Sequence, residues 1–222
     1  MKKLIFSMVC VASVFASNLD YGNQNDWEFV TGKRQSPINI DTMNVKTEKS
    51  YSKIKNYFDN NFMGSIENNG HSINVTAKGK SILNHREFEL KGFHFHSPSE
   101  HKIDNNSYPL EIHFVHQQAN GEFAVIGVFA KLGDANAEFQ KVLDNIGGTQ
   151  KINLKKLMPK NKSYYSYLGS LTTPPLTEAV EWYVIKEPIT ISSEQLKKFN
   201  ELYDGNNRKV QDINGRNILL VK

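Results

Sequence analysis

Phe93-His94-Phe95-His96, followed downstream by Glu111-Ile112-His113-Phe114-Val115, gives two runs in which side chains alternate with the two-residue period of a β-strand. Residues two apart on a strand share a face, so His94 and His96 converge while Phe93 and Phe95 turn to the other side. With the second run on another strand, His113 completes a trio. A tetrahedral zinc with three imidazoles keeps its fourth corner for water, the arrangement of a catalytic rather than a structural site. Taken alone, His-x-His also suits a half-buried strand whose histidines hydrogen-bond locally, so the neighbouring residues carry the decision.

Alternating or apolar segments bounded by turn residues recur at Ser72 to Ala77, Phe88 to His96, Leu110 to Gln117, Phe123 to Lys131, Ala179 to Ile185 and Ile218 to Val221. Turn signals fall between them at Asn68-Asn69-Gly70, Ala119-Asn120-Gly121 and Asp204-Gly205-Asn206. Two segments read as helices: Ala135 to Ile146, closed by Gly147-Gly148, and Ser193 to Tyr203, with Ser192 or Ser193 as the cap. The chain is mainly β with peripheral helices. At 222 residues, with no linker, repeat or low-complexity run, it reads as one domain with ample length for a core.

Met1-Lys2-Lys3, the apolar run Leu4 to Ala16, and small residues at Ala16 and Ser17 read as an export signal over residues 1–17, leaving 18–222 as the mature domain. The run is too short to span a bilayer comfortably. The expected address is the periplasm, or otherwise the outside of the cell. Cleavage removes Cys10, the only cysteine, so the mature domain has no disulfide of its own. The 27 Lys and Arg residues against 23 Asp and Glu are dispersed, which argues against a nucleic-acid surface, and after cleavage nothing inserts in a membrane.

Six matches stand in order along the chain: Tyr21-Gly22, Arg34-Gln35-Ser36-Pro37-Ile38-Asn39-Ile40, Asn68-Asn69-Gly70-His71, the histidine runs, Leu171-Thr172-Thr173-Pro174-Pro175-Leu176, and Asn206-Asn207-Arg208. Together they resemble the α-class carbonic anhydrases over nearly all of the mature chain, and in particular their exported bacterial members. The resemblance implies a single domain on a large, mostly antiparallel twisted central sheet, with the metal at the bottom of a cone-shaped cleft and cis bonds at Ser36-Pro37 and Pro174-Pro175. It implies a zinc enzyme for the reversible hydration of carbon dioxide to bicarbonate and a proton, inhibited by primary sulfonamides. A zinc-bound water is acidic near neutral pH, which makes hydroxide available, and this family is itself the standard case of that effect. Many exported members carry a disulfide, and this chain departs from them there.

Carried over residue by residue, the ligands are His94, His96 and His113. Thr172 is similar to the hydroxyl that directs the nucleophile, with Glu100 taking its proton, while the Thr172 N–H and the Thr173 side chain contact substrate oxygens. Glu111 resembles the carboxylate that orients His113, and Asn206 a residue under the floor of the site. His71 resembles the proton shuttle. Val115, Val125, Leu171, Val180 and Trp182 match the apolar wall that holds carbon dioxide. The position of Gly92 commonly carries a glutamine that orients the first ligand, so what holds His94 is open. His101 and His116 read as buried structural histidines, and His85 as a surface residue. The substrate is a small molecule, and the protein is a monomer or a homodimer.

Two other readings compete. His94-x-His96-x-x-x-Glu100 also fits the first metal motif of a cupin, with Glu100 a ligand to iron or manganese, although Glu111-Ile112-His113 lacks the second motif. A non-catalytic relative kept as a binding module is the other, and such relatives typically lose a zinc histidine.

Overall fold

The structure, a computed structural model, describes residues 19–27 and 32–222. The expected signal and its cleavage point lie outside the described residues. Among them the strands are β1 (Asn39–Ile40), β2 (Lys46–Thr47), β3 (Lys55–Phe58), β4 (Met63–Asn68), β5 (Ile73–Thr76), β6 (Gly79–Leu83), β7 (Arg86–His96), β8 (Lys102–Ile103), β9 (Asn106–Ser107), β10 (Leu110–Gln117), β11 (Phe123–Leu132), β12 (Thr149–Lys151), β13 (Tyr164–Ser170), β14 (Glu178–Ile191) and β15 (Leu219–Val221). Two α-helices, α1 (Ala137–Asp144) and α2 (Ser193–Asn200), complete the regular structure with short 3-10 turns.

Twelve strands form one sheet whose main path runs β12-β4-β5-β7-β10-β11-β14-β13-β15-β2, with β6 also paired to β7 and β3 to β6. Most pairs are antiparallel, as expected, but β11 with β14 and β15 with β2 run parallel, so the sheet is mixed. The histidine strands sit at its centre. There β7 is flanked by β5 and β10, and β10 by β7 and β11.

Alternation sorts side chains into two apolar clusters. One contains Phe93, Phe95, Phe114, Phe139 and Phe199, with Phe93 stacked on Phe114 at 5.3 Å and Phe95 against Phe139 of α1 at 5.0 Å. Here the phenylalanines between the histidines find their partners. The second cluster holds Val125, Val180 and Trp182 with Val115 and Leu171 packed against it.

Both helices start on side-chain caps: the Asn136 oxygen accepts from the N–H groups of Glu138 and Phe139, and Ser192 forms a reciprocal capping box with Gln195. Ser192 is therefore the cap, not Ser193. Each helix is shorter than its sequence pattern, because the last residues of both segments close in turns rather than in a further helical turn. β14 runs past its expected end at Ile185 to Ile191. Ile185 pairs with Val128 and Ile189 with Ala130, so the segment with Pro188 sits at a register irregularity, where a residue lacking an N–H is tolerated. Ser36-Pro37 and Pro174-Pro175 are cis as expected, and Ser97-Pro98 is a third.

His116 is wholly buried on β10, its Nδ1 2.9 Å from the Phe114 carbonyl and its Nε2 2.9 Å from Ser81 Oγ. Burial pulls its pKa down to about 4, against a favourable pull from the Phe114 carbonyl. The unfolded chain takes up that proton near pH 6.5 and the folded one does not, so stability is intact above pH 6.5 and lost as pH falls toward 4. Between pH 7 and pH 5 the expected loss from this residue is about 2 kcal/mol. In denaturant titrations of the metal-free protein, His116→Asn should lose less stability than the parent over that interval; equal losses would show that this group is not responsible.

Candidate active site

The register of β7 and β10 builds the site. His113 pairs directly with His94, and Glu111 with His96, so all four side chains emerge on one face of two adjacent strands. The rings crowd together, with centroids 4.9 Å apart for His94 and His96, 5.3 Å for His94 and His113, and 4.6 Å for His96 and His113. One nitrogen from each lies within 4.8 Å of the others.

Their hydrogen bonds determine which nitrogens are available. His96 Nδ1 donates to the Asn206 carbonyl at 2.6 Å, which leaves its Nε2 as a bare lone pair, buried and without a partner. His113 Nε2 is buried and lies 3.0 Å from Glu111 Oε1 but off the line of a well-formed hydrogen bond; pairing with that carboxylate would commit Nε2 and leave Nδ1 for a cation. Glu111 is itself fixed, since its Oε1 accepts from His101 Nδ1 at 2.8 Å and its Oε2 from the His101 N–H at 2.9 Å. His101 Nε2 meets Tyr167 Oη at 2.6 Å, and Tyr167 meets Ser36 Oγ at 2.8 Å. The buried structural role expected of His101 is thus to hold Glu111.

Burial pulls His94 well below the ordinary imidazole pKa, reinforced by the neighbouring His96 and His113, and it pulls His96 down as well. Burial also opposes charge on His113, but Glu111 and Glu100 overcome it and push that ring up. Glu111 is driven upward by burial and more strongly downward by His101 and His113, so it stays ionised. An unpartnered, buried imidazole nitrogen facing two others fits a bound cation and little else. His94, His96 and His113 are the residues that could hold it.

Glu100 is buried behind these rings, 3.6 Å from His96 Nδ1 and 3.8 Å from His113 Nδ1. Its Oε1 accepts from the Arg208 N–H at 2.7 Å, while its Oε2 is buried with no partner. The expected bond from the Thr172 hydroxyl to Glu100 is therefore not formed in this structure, although Thr172 is buried and the acceptor is free. Leu171 to Leu176 make a tight loop between β13 and β14, closed by Leu171 N–H to Thr177 O at 2.9 Å and Leu176 N–H to Thr173 O at 3.0 Å. Trp182 Nε1 anchors its root through Ser170 O at 2.9 Å.

Val115, Val125, Leu171, Val180 and Trp182, expected as one wall, do belong to one cluster, and the Trp182 ring lies 4.8 Å from that of His113. His71 is half-buried in the turn between β4 and β5, and burial lowers its pKa. Several partners were not evident in the sequence. Tyr167 lies on β13, a strand the alternation did not reveal, and Tyr21 has a buried, unpartnered hydroxyl whose pKa is pushed up by burial and by Glu100. The Tyr21-Gly22 match was the available signal for the second.

A family model for eukaryotic-type carbonic anhydrases matches residues 22–222. The chain belongs to that family. A carbonic anhydrase of Klebsiella pneumoniae is 38% identical over 97% of this chain and 96% of its own, and one of Neisseria gonorrhoeae is 40% identical over 85% and 78%. A structure of the α-carbonic anhydrase of Thermovibrio ammonificans, in complex with the inhibitor sulfanilamide, superposes with a TM-score of 0.80 at 41% identity, covering 85% of this chain and 87% of that one. These relatives are enzymes, and so is this carbonic anhydrase. Neither alternative reading survives: the cupin assignment fails on the family, and the binding-module reading on its enzyme relatives.

Gly92 has a steric cause. A Cβ there would stand 2.7 Å from the Val75 carbonyl oxygen, so the backbone of β5 fills the place a side chain would need. Among the described residues no hydrogen bond to the His94 ring is formed, and the rings packed against it are those of His96 and His113. Gly92→Gln should accordingly cost about 1–3 kcal/mol through overpacking, read as a lower melting temperature, with no gain in zinc affinity. A variant as stable as the parent that holds zinc more tightly would contradict this account of β5.

Proposed function

We propose that this carbonic anhydrase hydrates carbon dioxide reversibly, on a zinc ion held by His94, His96 and His113. The observation that carries the proposal is the buried, unpartnered Nε2 of His96, on a ring that together with His94 and His113 offers three nitrogens within 4.8 Å of one another. Zinc bound there supplies the acidity that makes water a nucleophile near neutral pH.

The residues around it do the rest. Carbon dioxide has little to offer a hydrogen-bond donor, and it rests against Val115, Val125, Leu171, Val180 and Trp182, where water is excluded. In the working enzyme Thr172 would turn its hydroxyl proton to the Oε2 of Glu100, which this structure leaves without a partner, so that its oxygen acts only as an acceptor and orients the attacking water. Arg208 N–H on Oε1 holds that carboxylate in place and aimed. The Thr172 N–H and the Thr173 side chain contact the oxygens of substrate and product. Glu111 and the Asn206 carbonyl fix the tautomers of His113 and His96.

Each turnover releases a proton, and His71 passes it from the cleft to bulk buffer. Its lowered pKa keeps it neutral and ready to accept at neutral pH. Turnover in dilute buffer should fall as pH drops below that value, because the imidazole is then already protonated.

Stopped-flow hydration assays and metal analysis test the proposal. His94→Ala should lose zinc and activity together, and Thr172→Ala should keep zinc and lose roughly 100-fold in kcat. His71→Ala should slow turnover in dilute buffer, with imidazole restoring it. A zinc-loaded protein that leaves carbon dioxide unhydrated would overturn the reading. A primary sulfonamide should inhibit; indifference to it would contradict the geometry assigned to Thr172.

A further inference from the structure

Asn206 is 1% exposed and makes five hydrogen bonds. Its backbone serves the ligand strand: the N–H donates to Ser97 O at 3.1 Å and the carbonyl accepts from His96 Nδ1 at 2.6 Å. Its carboxamide does something else. Oδ1 accepts from the Ser97 N–H at 2.8 Å, while Nδ2 splits its two protons between Phe95 O and His71 O, both at 2.9 Å. Both donors are used, one on the strand between two metal-ligand candidates and the other on the residue assigned to carry protons.

The turn that bears His71 has other ties, which makes this bond separable from the fold. Ser72 Oγ donates to Phe95 O at 2.8 Å, and Tyr203 Oη donates to Asn68 Oδ1 at 2.8 Å. These hold the ends of the turn. Among the described side chains, that of Asn206 is the one that bonds the His71 carbonyl itself.

We propose that the Asn206 carboxamide is a positioning residue that fixes the His71 backbone relative to the ligand strand, and so sets the path by which protons leave the site. The kinetic part rests on the proposed hydration chemistry; the structural part does not. Because the backbone carbonyl holds His96, changing the side chain tests the tie to His71 without removing the bond to the ligand.

Two variants test it in the full chain. Asn206→Ala removes all three side-chain bonds, and Asn206→Asp keeps the acceptor for Ser97 while removing both donors. In the metal-free protein, NMR order parameters for residues 69–72 should fall in both. In the zinc-loaded protein, kcat in dilute buffer should drop several-fold while kcat/KM stays within about twofold, the signature of slowed proton transfer after the chemical step. Imidazole should restore turnover, and adding either change to His71→Ala should cost nothing more. Unchanged order in the turn would overturn the proposal, as would parallel falls in kcat and kcat/KM or multiplied losses in the double variants. A parent enzyme that hydrates no carbon dioxide would defeat the proposed function instead, with the NMR measurement still deciding the positioning role.

Discussion

An imidazole that binds a cation has one nitrogen to offer and a second that the protein must satisfy, and the way this chain satisfies the second shapes much of its interior. His96 spends its outward nitrogen on the Asn206 carbonyl and His113 turns its own to Glu111. Glu111 would be a costly buried charge alone. It is tolerated because His101 meets both its oxygens, Tyr167 meets His101, and Ser36 meets Tyr167. The chain of bonds ends in the Gln35-Ser36-Pro37 segment, where Arg208 Nη1 reaches Gln35 Oε1 at 2.8 Å and Ser36 O at 2.7 Å. Residues far apart in sequence are thereby locked to the same few nitrogen atoms.

The electrostatics of the pocket favour positive charge where the three rings meet. Two buried carboxylates, Glu100 and Glu111, stand behind them, and together they push His113 up while burial holds His94 and His96 down. Protonating the rings would place like charges within about 5 Å of each other, at centroid separations of 4.6 to 5.3 Å. A single divalent cation meets the same demand once, with all three imidazoles neutral. The free Oε2 of Glu100 and the free Nε2 of His96 are an acceptor and a lone pair in one buried space. Each unmade interaction is expensive in isolation.

The parts of the molecule nearest the chemistry were the most legible in sequence. β10 was delimited correctly, and β7 and β11 nearly so, because each alternates Phe, Val or Ile with residues that need another environment. β13 escaped notice: Tyr164 to Ser170 is buried on both faces and has little alternation, its Tyr and Ser hydroxyls being absorbed by partners such as Ser36 and Gln35. β3 and β6 were missed because each is short and mixes Lys, Asn, Gly or Ser with its few apolar residues, and the length of β14 was masked by Pro188. Among site residues, His94, His96, His113, Glu111 and the wall came together as read. The Arg208 N–H on Glu100 and the Asn206 carbonyl on His96 are main-chain contacts, and side-chain patterns carry no trace of them.

In the proposed metal site three imidazoles alone from this protein would bind the ion, with both carboxylates held back as supporting groups. Zinc K-edge X-ray absorption on the loaded protein measures that directly. Three imidazole nitrogens and one non-protein oxygen are expected at about 2.0 Å. A carboxylate oxygen from Glu100 or Glu111 in the coordination shell, or fewer than three imidazoles, would contradict it.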